Sequence, residues 1–288
     1  MVEWLDAIVQ GILLGGLYAL FAIGLSIAYG VMRLVNIAHG DFLVLAAYLA
    51  LWPVTQMHLS PFLAILPVAA VMFGLGYCLQ RVLLNRTMGP NLLAPLLATF
   101  GLSIILRNGL EQIYHADSRS LPIGDLGTDS LPIGGGISIG LFPLIIFLAA
   151  IVLTVLVSLL FSQTRVGIAL RATSDDAETA GLMGIRARHT YGMALAISFA
   201  LIAVGGIFAG IRTTFTPESG PDNLLFAFEA VVIGGLGSLW GTFAGAVILG
   251  VAQTIGAKIA IGLGIMAGHL VFLAVLYFRP TGLFARTL

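Results

Sequence analysis

Residues 141–161 read LFPLIIFLAAIVLTVLVSLLF, and none of them carries a charge. Residues 191–211 (YGMALAISFALIAVGGIFAGI) form a second uncharged run. A helix needs about 20 mainly apolar residues to cross the hydrocarbon of a bilayer, and each run supplies them. Lipid offers no partner for a backbone N–H or C=O, so a crossing segment must be a helix or a strand of a closed barrel. Barrel strands alternate polar and apolar residues over pieces of about ten; these runs do not alternate. The whole chain is 59% hydrophobic and 9% charged, with a mean hydropathy of +1.07, whereas a soluble domain is about 25% charged. Its 36 glycines suit close helix packing in lipid. The expected fold is therefore all-α and polytopic.

Nine apolar segments are legible, at 8–30, 36–52, 62–83, 91–111, 141–161, 190–212, 224–236, 241–257 and 261–278. The second, seventh and eighth are short or rich in glycine and are expected to be broken helices, so about 8–9 transmembrane helices are expected in a single domain over 1–288. Basic residues are retained on the cytoplasmic side. With the polar loop 165–189 inside, alternation places Arg33, Arg81, Arg86, Arg165, Arg171, Arg186, Arg188, Arg279 and Arg286 inside. Only Arg107, Arg119, Arg212 and Lys258 then lie outside or near the outer ends. The N-terminus is expected outside and the C-terminus in the cytoplasm, with the long 112–140 connection as a cap on the outer face. Glu3 and Asp6 stand where a secretory signal would be positive, so no cleavable signal is expected.

The formal net charge is zero, which gives no support to a nucleic-acid partner, and the single Cys78 sits in an apolar run. No H-E-x-x-H, G-x-S-x-G or paired-cysteine pattern is present, so neither an enzyme nor a metal site is expected. The only lysine, Lys258, lies outside any G-x-x-x-x-G-K-[ST] context. No cofactor is expected, and ATP, if used, must be bound by other subunits.

Three polar clusters interrupt the apolar pattern. Asn36-Ile37-Ala38-His39-Gly40-Asp41 opens the second segment. Ionisable groups at membrane depth face a cavity or a partner, so Asn36, His39 and Asp41 are candidates for a translocation pathway. The alternative is a helix start near the cytoplasmic interface, with Asn36 as cap and Asp41 on the helix dipole. Glu229 lies in the seventh segment, ahead of the glycine-rich stretch Gly234-Gly235-Leu236-Gly237-Ser238. It is the fourth pathway candidate, against a tightly packed hairpin that satisfies it locally. Two glycine-interrupted segments, one in each half, are the usual sign of an inverted repeat with a passage at its interface.

The third cluster is the loop 165–189. Thr173, Ser174 or Asp175 can cap a short helix there, Asp175 and Glu178 have capping-box spacing, and Gly181 or Gly184 can end it. Ala177, Ala180, Leu182, Met183 and Ile185 could present an apolar knob to a soluble partner. A solvated interfacial helix without a partner is the plainer reading.

The stretches GGLYALFAIGLSIAYGVMRLVNIAHGDFLVLAAYLA (15–50), LLATFGLSIILRNGLEQIY (96–114), RVGIALRATSDDAETAGLMGI (165–185), AFEAVVIGGLGSLWGTFAGAVILG (227–250) and FRPTGLF (278–284), in this order, carry a resemblance to a known family. The chain resembles the permease subunits of high-affinity ABC importers for branched-chain amino acids. The family's Gly-Ser turn is usually followed by Pro; here Leu239 follows. The resemblance implies an inner-membrane protein, a second related permease, two cytoplasmic ATP-binding subunits and a substrate-binding protein outside. It also implies that residues 171–185 are a coupling helix. Arg171, Ala172, Asp175, Ala180, Gly184 and Ile185 match the pattern, and Asp176 and Glu178 lie among them. Relatives in the family carry urea or amides, so the cargo is a branched-chain amino acid or another small polar solute. The rival reading is a secondary transporter or channel working alone. That class calls for charged relays deep in several spans, where Asp41 and Glu229 are the only acidic candidates.

Overall fold

A computed structural model describes residues 2–89, 93–134, 137–260 and 262–284. Asn91 and Ile261, the first residues of two expected spans, and Arg286 lie outside them. The protein is an all-α membrane bundle. Its helices are α1 (Val2–Met32), α2 (His39–Gln56), α3 (Pro61–Leu79), α4 (Asn85–Thr87), α5 (Leu93–Tyr114), α6 (Leu141–Gln163), α7 (Arg165–Asp175), α8 (Ala177–Leu182), α9 (Ala187–Arg212), α10 (Gly220–Gly234), α11 (Leu239–Ile259) and α12 (Leu263–Phe278). A π-helical turn, Gln80–Leu84, joins α3 to α4. Six helices among the described residues are long and apolar enough to cross a membrane; α2, α10 and α12 fall short in length or hydropathy.

α1 is the axis of the bundle and is buried over most of its length. Small residues make this possible. A side chain at Gly11 or Gly15 would overlap α11 at Val251 or Val247, one at Gly16 would overlap Phe147 of α6, and one at Gly24 would press on Ser198 of α9. In lipid there is no hydrophobic drive between helices, so close backbone approach and its dispersion contacts hold them together. α3 meets α9 in the same way, with Gly76 against Leu195 and Gly192 against Tyr77. The outer helices turn apolar side chains outward, among them Leu66 on α3, Ile105 on α5, Val152 on α6 and Leu270 on α12. This is the surface lipid requires.

The eighth apolar segment was expected to be broken, but it is one continuous helix, α11, of 21 residues. Its glycines are packing contacts, not breaks: Gly245 abuts Ala230, and Gly250 abuts Gly11 and Gly15. The 112–140 connection closes one end of the bundle. Leu121 is buried and donates its N–H to the Gly210 carbonyl at 2.8 Å, and Arg119 pairs with Phe215 through both backbone bonds. A short antiparallel hairpin, β1 (Ser130–Gly134) and β2 (Ile137–Gly140), leads into α6.

The opposite end is the basic one. Tyr77 bonds His189 at 2.8 Å, Asn85 bonds the Arg188 carbonyl, Ser174 bonds the Gly30 carbonyl at 2.6 Å, and Arg33 and Arg279 line one cleft. These contacts gather Arg33, Arg81, Arg86, Arg165, Arg171, Arg186, Arg188 and Arg279 around a single end.

Candidate translocation site and coupling segment

After α1 the chain turns back into the bundle. Arg33 takes the left-handed conformation (φ 53°) and starts the return. The His39 ring nitrogen Nε2 then lies 2.8 Å from the Phe21 carbonyl oxygen, so that nitrogen is the protonated one. Phe21 is eleven residues before the end of α1, which at 1.5 Å per residue is about 16 Å along the axis. That is roughly half of a ~30 Å hydrocarbon core. α2 therefore starts beside the middle of α1 and runs back for 18 residues, about 27 Å. Asn36 does not cap it. Its side-chain oxygen accepts from the Ala38 N–H at 3.1 Å, its carbonyl accepts from the His39 N–H at 3.1 Å, and Ile37 N–H is taken by Thr99 Oγ1 at 3.2 Å. The reading of Asn36 as the cap of α2 is corrected: the turn is held by Phe21 of α1 and Thr99 of α5.

A second helix start lies beside it. Gly220, the first residue of α10, is so close to Gly40 that a side chain on either would overlap the other strand of chain. The two helix N-termini thus meet inside the bundle. Asp41, in the first turn of α2, is 3.6 Å from Arg107 Nε, and Arg107 Nη1 is 3.5 Å from Glu218 Oε2, just ahead of α10. Asp41 is 2% exposed and Arg107 23%, whereas Glu218 is 66% exposed. The cluster therefore runs from the interior to an accessible rim. Arg107 was expected near the outer end of its helix. It sits seven residues before the end of α5, about 10 Å down, where Asp41 compensates its charge. Asp41 Oδ1 and Arg107 Nε lack hydrogen-bond partners among the described residues. These two atoms face each other across the 3.6 Å ion pair, so each compensates the other's charge.

Glu229 lies on another flank of α10. His269 of α12 holds its Oε1 at 2.5 Å, and its Oε2 has no partner among the described residues. Phe226 stacks on His269 with centroids 6.5 Å apart and on Tyr18 at 4.9 Å, and Tyr18 donates to Gln253 Oε1 at 2.5 Å. Reading the sequence missed His269, Gln253 and Tyr18. His269 was detectable as the lone histidine of an apolar run.

The glycine-rich turn after α10 needs its glycines. Gly235 (φ 111°) and Gly237 (φ 82°) occupy conformations that favour glycine. Ser238 then accepts from Gly241 N–H at 3.1 Å and starts α11, while Leu239 is buried. The C-terminal FRPTGLF stretch ends α10. Leu283 and Phe284 donate N–H groups to the Ile233 and Gly234 carbonyls at 3.0 Å each, which helix termination would leave unpaired.

The 165–189 block is two helices, not one. Thr164 caps α7 by accepting from Gly167 N–H. Asp176, not Thr173, Ser174 or Asp175, caps α8, accepting from the N–H groups of Glu178 and Thr179 at 2.9 and 3.1 Å. The Asp175–Glu178 capping box does not form because Asp175 closes the preceding helix. The Thr179 hydroxyl and N–H, with the Glu178 N–H, hold the Asp176 carboxyl below the usual carboxylate range. Gly184 (φ 84°) ends α8. Arg171 and Ala172 are half-buried on α7 and Ala180 is buried, while Asp175, Glu178 and Gly184 are exposed and Ile185 is half-buried. Leu182 and Met183 are 85% and 81% exposed. α1 joins the block to the polar clusters, since Ser174 bonds Gly30 and His39 bonds Phe21.

Residues 7–279 match the family model described as branched-chain amino acid transport system / permease component. The chain is 30% identical to the high-affinity branched-chain amino acid transport system permease protein BraD of Pseudomonas aeruginosa, over 99% of this chain and 96% of that protein. It is 27% identical to the corresponding permease LivH of Salmonella typhimurium, over 98% and 96%. The structure of PsaBC from Streptococcus pneumoniae in complex with Fab aligns with a TM-score of 0.50 at 14% identity, over 98% of this chain and 97% of that one; this is a likeness of fold. The relatives are transport permeases, and this multi-pass membrane chain belongs to the branched-chain amino acid transport system permease family.

Proposed function

We propose that this chain is the permease subunit of a binding-protein-dependent importer. It moves branched-chain amino acids across the inner membrane by alternating access, driven by two partner ATPases and paired with a second permease. The observation that carries the reading is α8: a six-residue helix, capped by Asp176, that projects Leu182 and Met183 from the basic end. Two adjacent apolar side chains this exposed outside the lipid belt call for a protein partner. The chain has no phosphate-binding loop of its own, so that partner is where ATP acts.

The basic end faces the cytoplasm in this reading, because cytoplasmic ends retain arginine. Arg171, Ala172, Asp175, Asp176, Glu178, Ala180, Gly184 and Ile185 form the segment that receives the ATPase motion. The motion passes through Ser174 to α1 and from Phe21 of α1 to His39. Asn36, His39, Asp41 and Glu229, now joined by Arg107, Glu218 and His269, are the polar elements beside the passage. The two helices α2 and α10 are the parts that rock. Their mid-depth termini resemble the broken helices at which membrane transporters hold polar solutes. A partner that drives the change must bind the two states unequally.

The test is Leu182→Asp with Met183→Asp. The variant is expected to insert normally but to lose co-purification with the ATPases and ATP-dependent leucine uptake. Full uptake by the double variant removes the docking claim.

A further inference from the structure

A cleft of about 640 Å3 opens at the arginine-rich end, where the ends of α1, α10 and α12 come together. Arg33 and Arg279 line it, with the hydroxyl-bearing Tyr29 and Thr281. Both arginines are exposed, and neither belongs to an ion pair among the described residues. No acidic residue is among the described residues that line the cleft. Arg33 also lines a second cavity, of about 270 Å3, whose other walls are apolar and include Met32, Val35, Met88 and Leu96. Just past α1, the Arg33 backbone is left-handed (φ 53°), with its N–H bonded to the Tyr29 carbonyl at 2.7 Å. Glycine usually fills such a helix-ending position, because a Cβ is strained there. An arginine there accepts that strain and lines both cavities with one cationic side chain. Lipid reaches the rim. Tyr277 and Phe278, 82% and 77% exposed, immediately precede Arg279, and Leu283 and Phe284 of the cleft are 40% and 47% exposed. Aromatic side chains beside an arginine mark the headgroup level of a bilayer.

From this lining we infer that the cleft binds the headgroup of an anionic phospholipid. The phosphodiester pairs with Arg33 and Arg279, headgroup hydroxyls meet Tyr29 and Thr281, and the start of an acyl chain enters the apolar cavity beside Arg33. Guanidinium groups suit phosphate because they present several N–H donors in a fixed plane. A zwitterionic headgroup would bring its ammonium against two arginines with no acid to screen it. Free phosphate would leave the apolar cavity and the aromatic rim unused. An acidic side chain of a partner ATPase could also pair the arginines, but α12 packs on α10 and α11, whereas α8, the seat proposed for that partner, packs on α7 and α9. The bound lipid has a mechanical consequence. Gly282 lies so close to Gly235 that a side chain on it would overlap the latter, and Leu283 and Phe284 bond the last carbonyls of α10. A headgroup bridging Arg33 and Arg279 therefore fastens the end of α10 to the end of α1. Such a site serves lipid rather than solute, and it stands whether or not the chain works with ATPases.

The experiment uses the full chain, solubilised in an uncharged detergent and freed of lipid. It is titrated with dioctanoyl-phosphatidylglycerol, dioctanoyl-phosphatidylcholine and inorganic phosphate. Native mass spectrometry counts the bound lipid, and thermal melting reads the stabilisation. One phosphatidylglycerol is expected to bind about tenfold or more tightly than phosphatidylcholine and to raise the melting temperature, with phosphate a weak competitor. Arg33→Gly and Arg279→Gln are each expected to weaken phosphatidylglycerol binding about tenfold, the scale of one lost charge-assisted hydrogen bond. Without lipid, Arg33→Gly is expected to melt no lower than the wild type, since glycine relaxes the left-handed backbone; its loss of binding is then not a loss of fold. Arg279→Gln is the second variant should that one not insert. Equal binding of phosphatidylcholine overturns the site, since it reduces the cleft to a greasy groove. An undiminished preference for phosphatidylglycerol in the variants overturns its location. Phosphate that displaces the lipid at equal concentration makes this a free-phosphate site instead. Release of the phosphatidylglycerol on assembly with the ATPases overturns the lipid in favour of an acidic partner surface.

Discussion

Replacing Gly40 by alanine tests whether α2 and α10 truly meet backbone to backbone. The new Cβ would stand 2.8 Å from both the Gly220 carbonyl carbon and the Leu224 nitrogen, and nearer still to the Gly220 oxygen. Non-bonded carbons settle at about 3.5–4.0 Å, so the two helices must part by about 1 Å. Both obstacles are main chain, and no flexible side chain can yield. Overpacking a tight site costs about 1–3 kcal/mol, and a clash with two backbones belongs at the upper part of that range. About 3 kcal/mol is a ~100-fold change in an equilibrium constant, enough to invert a conformational balance set by a few kcal/mol. The parting also moves the next residue, Asp41, against Arg107, now at 3.6 Å. The assay is ATP-dependent uptake by membrane vesicles, with thermal melting of the solubilised complex. Gly40→Ala is expected to abolish uptake and lower the melting temperature. Gly74→Ala, where a Cβ meets nothing within 4 Å, is the matched control and is expected to be silent. Wild-type uptake and melting by Gly40→Ala would refute the crossing.

Further outcomes follow from the same geometry. Arg107→Met strands the buried Asp41 carboxylate and is expected to reduce uptake by an order of magnitude or more; adding Asp41→Asn is expected to restore part of it, and strict additivity would deny the pairing. Arg119→Cys is expected to react with an impermeant thiol reagent from outside and Arg188→Cys only from inside, and equal access to both refutes the orientation. The Asp176 carboxyl lies below its ordinary range when the segment is folded, so its contribution is present above that range and is lost as pH falls through the lowered value. ATPase association at fixed ionic strength is therefore expected to weaken on acidification below the usual carboxylate range, and Asp176→Asn is expected to flatten that dependence.

Some of this was legible in the residues and some was not, for physical reasons. Uncharged runs such as 141–161 leave a chain no option but to cross lipid as helix, so the fold class follows from hydropathy alone. Asn36, His39 and Asp41 stood out because charge is costly at membrane depth. Their depth was not legible, since it depends on His39 reaching Phe21, eighteen residues back. Arg107 was misplaced for the same reason: an arginine near a helix end reads as snorkelling, and only the position of Asp41 reveals a buried partner. Glycines mislead in a related way. Those at 245 and 250 resemble breaks in one dimension and become contact surfaces once α1 and α10 lie against them. Asp175 and Asp176 are adjacent acids, and which of them caps is decided by where α7 ends.

The most direct test of the central claim is leucine uptake into proteoliposomes. One sample holds this chain with its companion permease, ATPases and binding protein, and the other holds this chain alone. The account predicts uptake only in the complete assembly, dependent on ATP and lost with Leu182→Asp and Met183→Asp. Leucine accumulation by the chain alone, down a gradient and without ATP, would contradict it and make the protein a self-sufficient carrier.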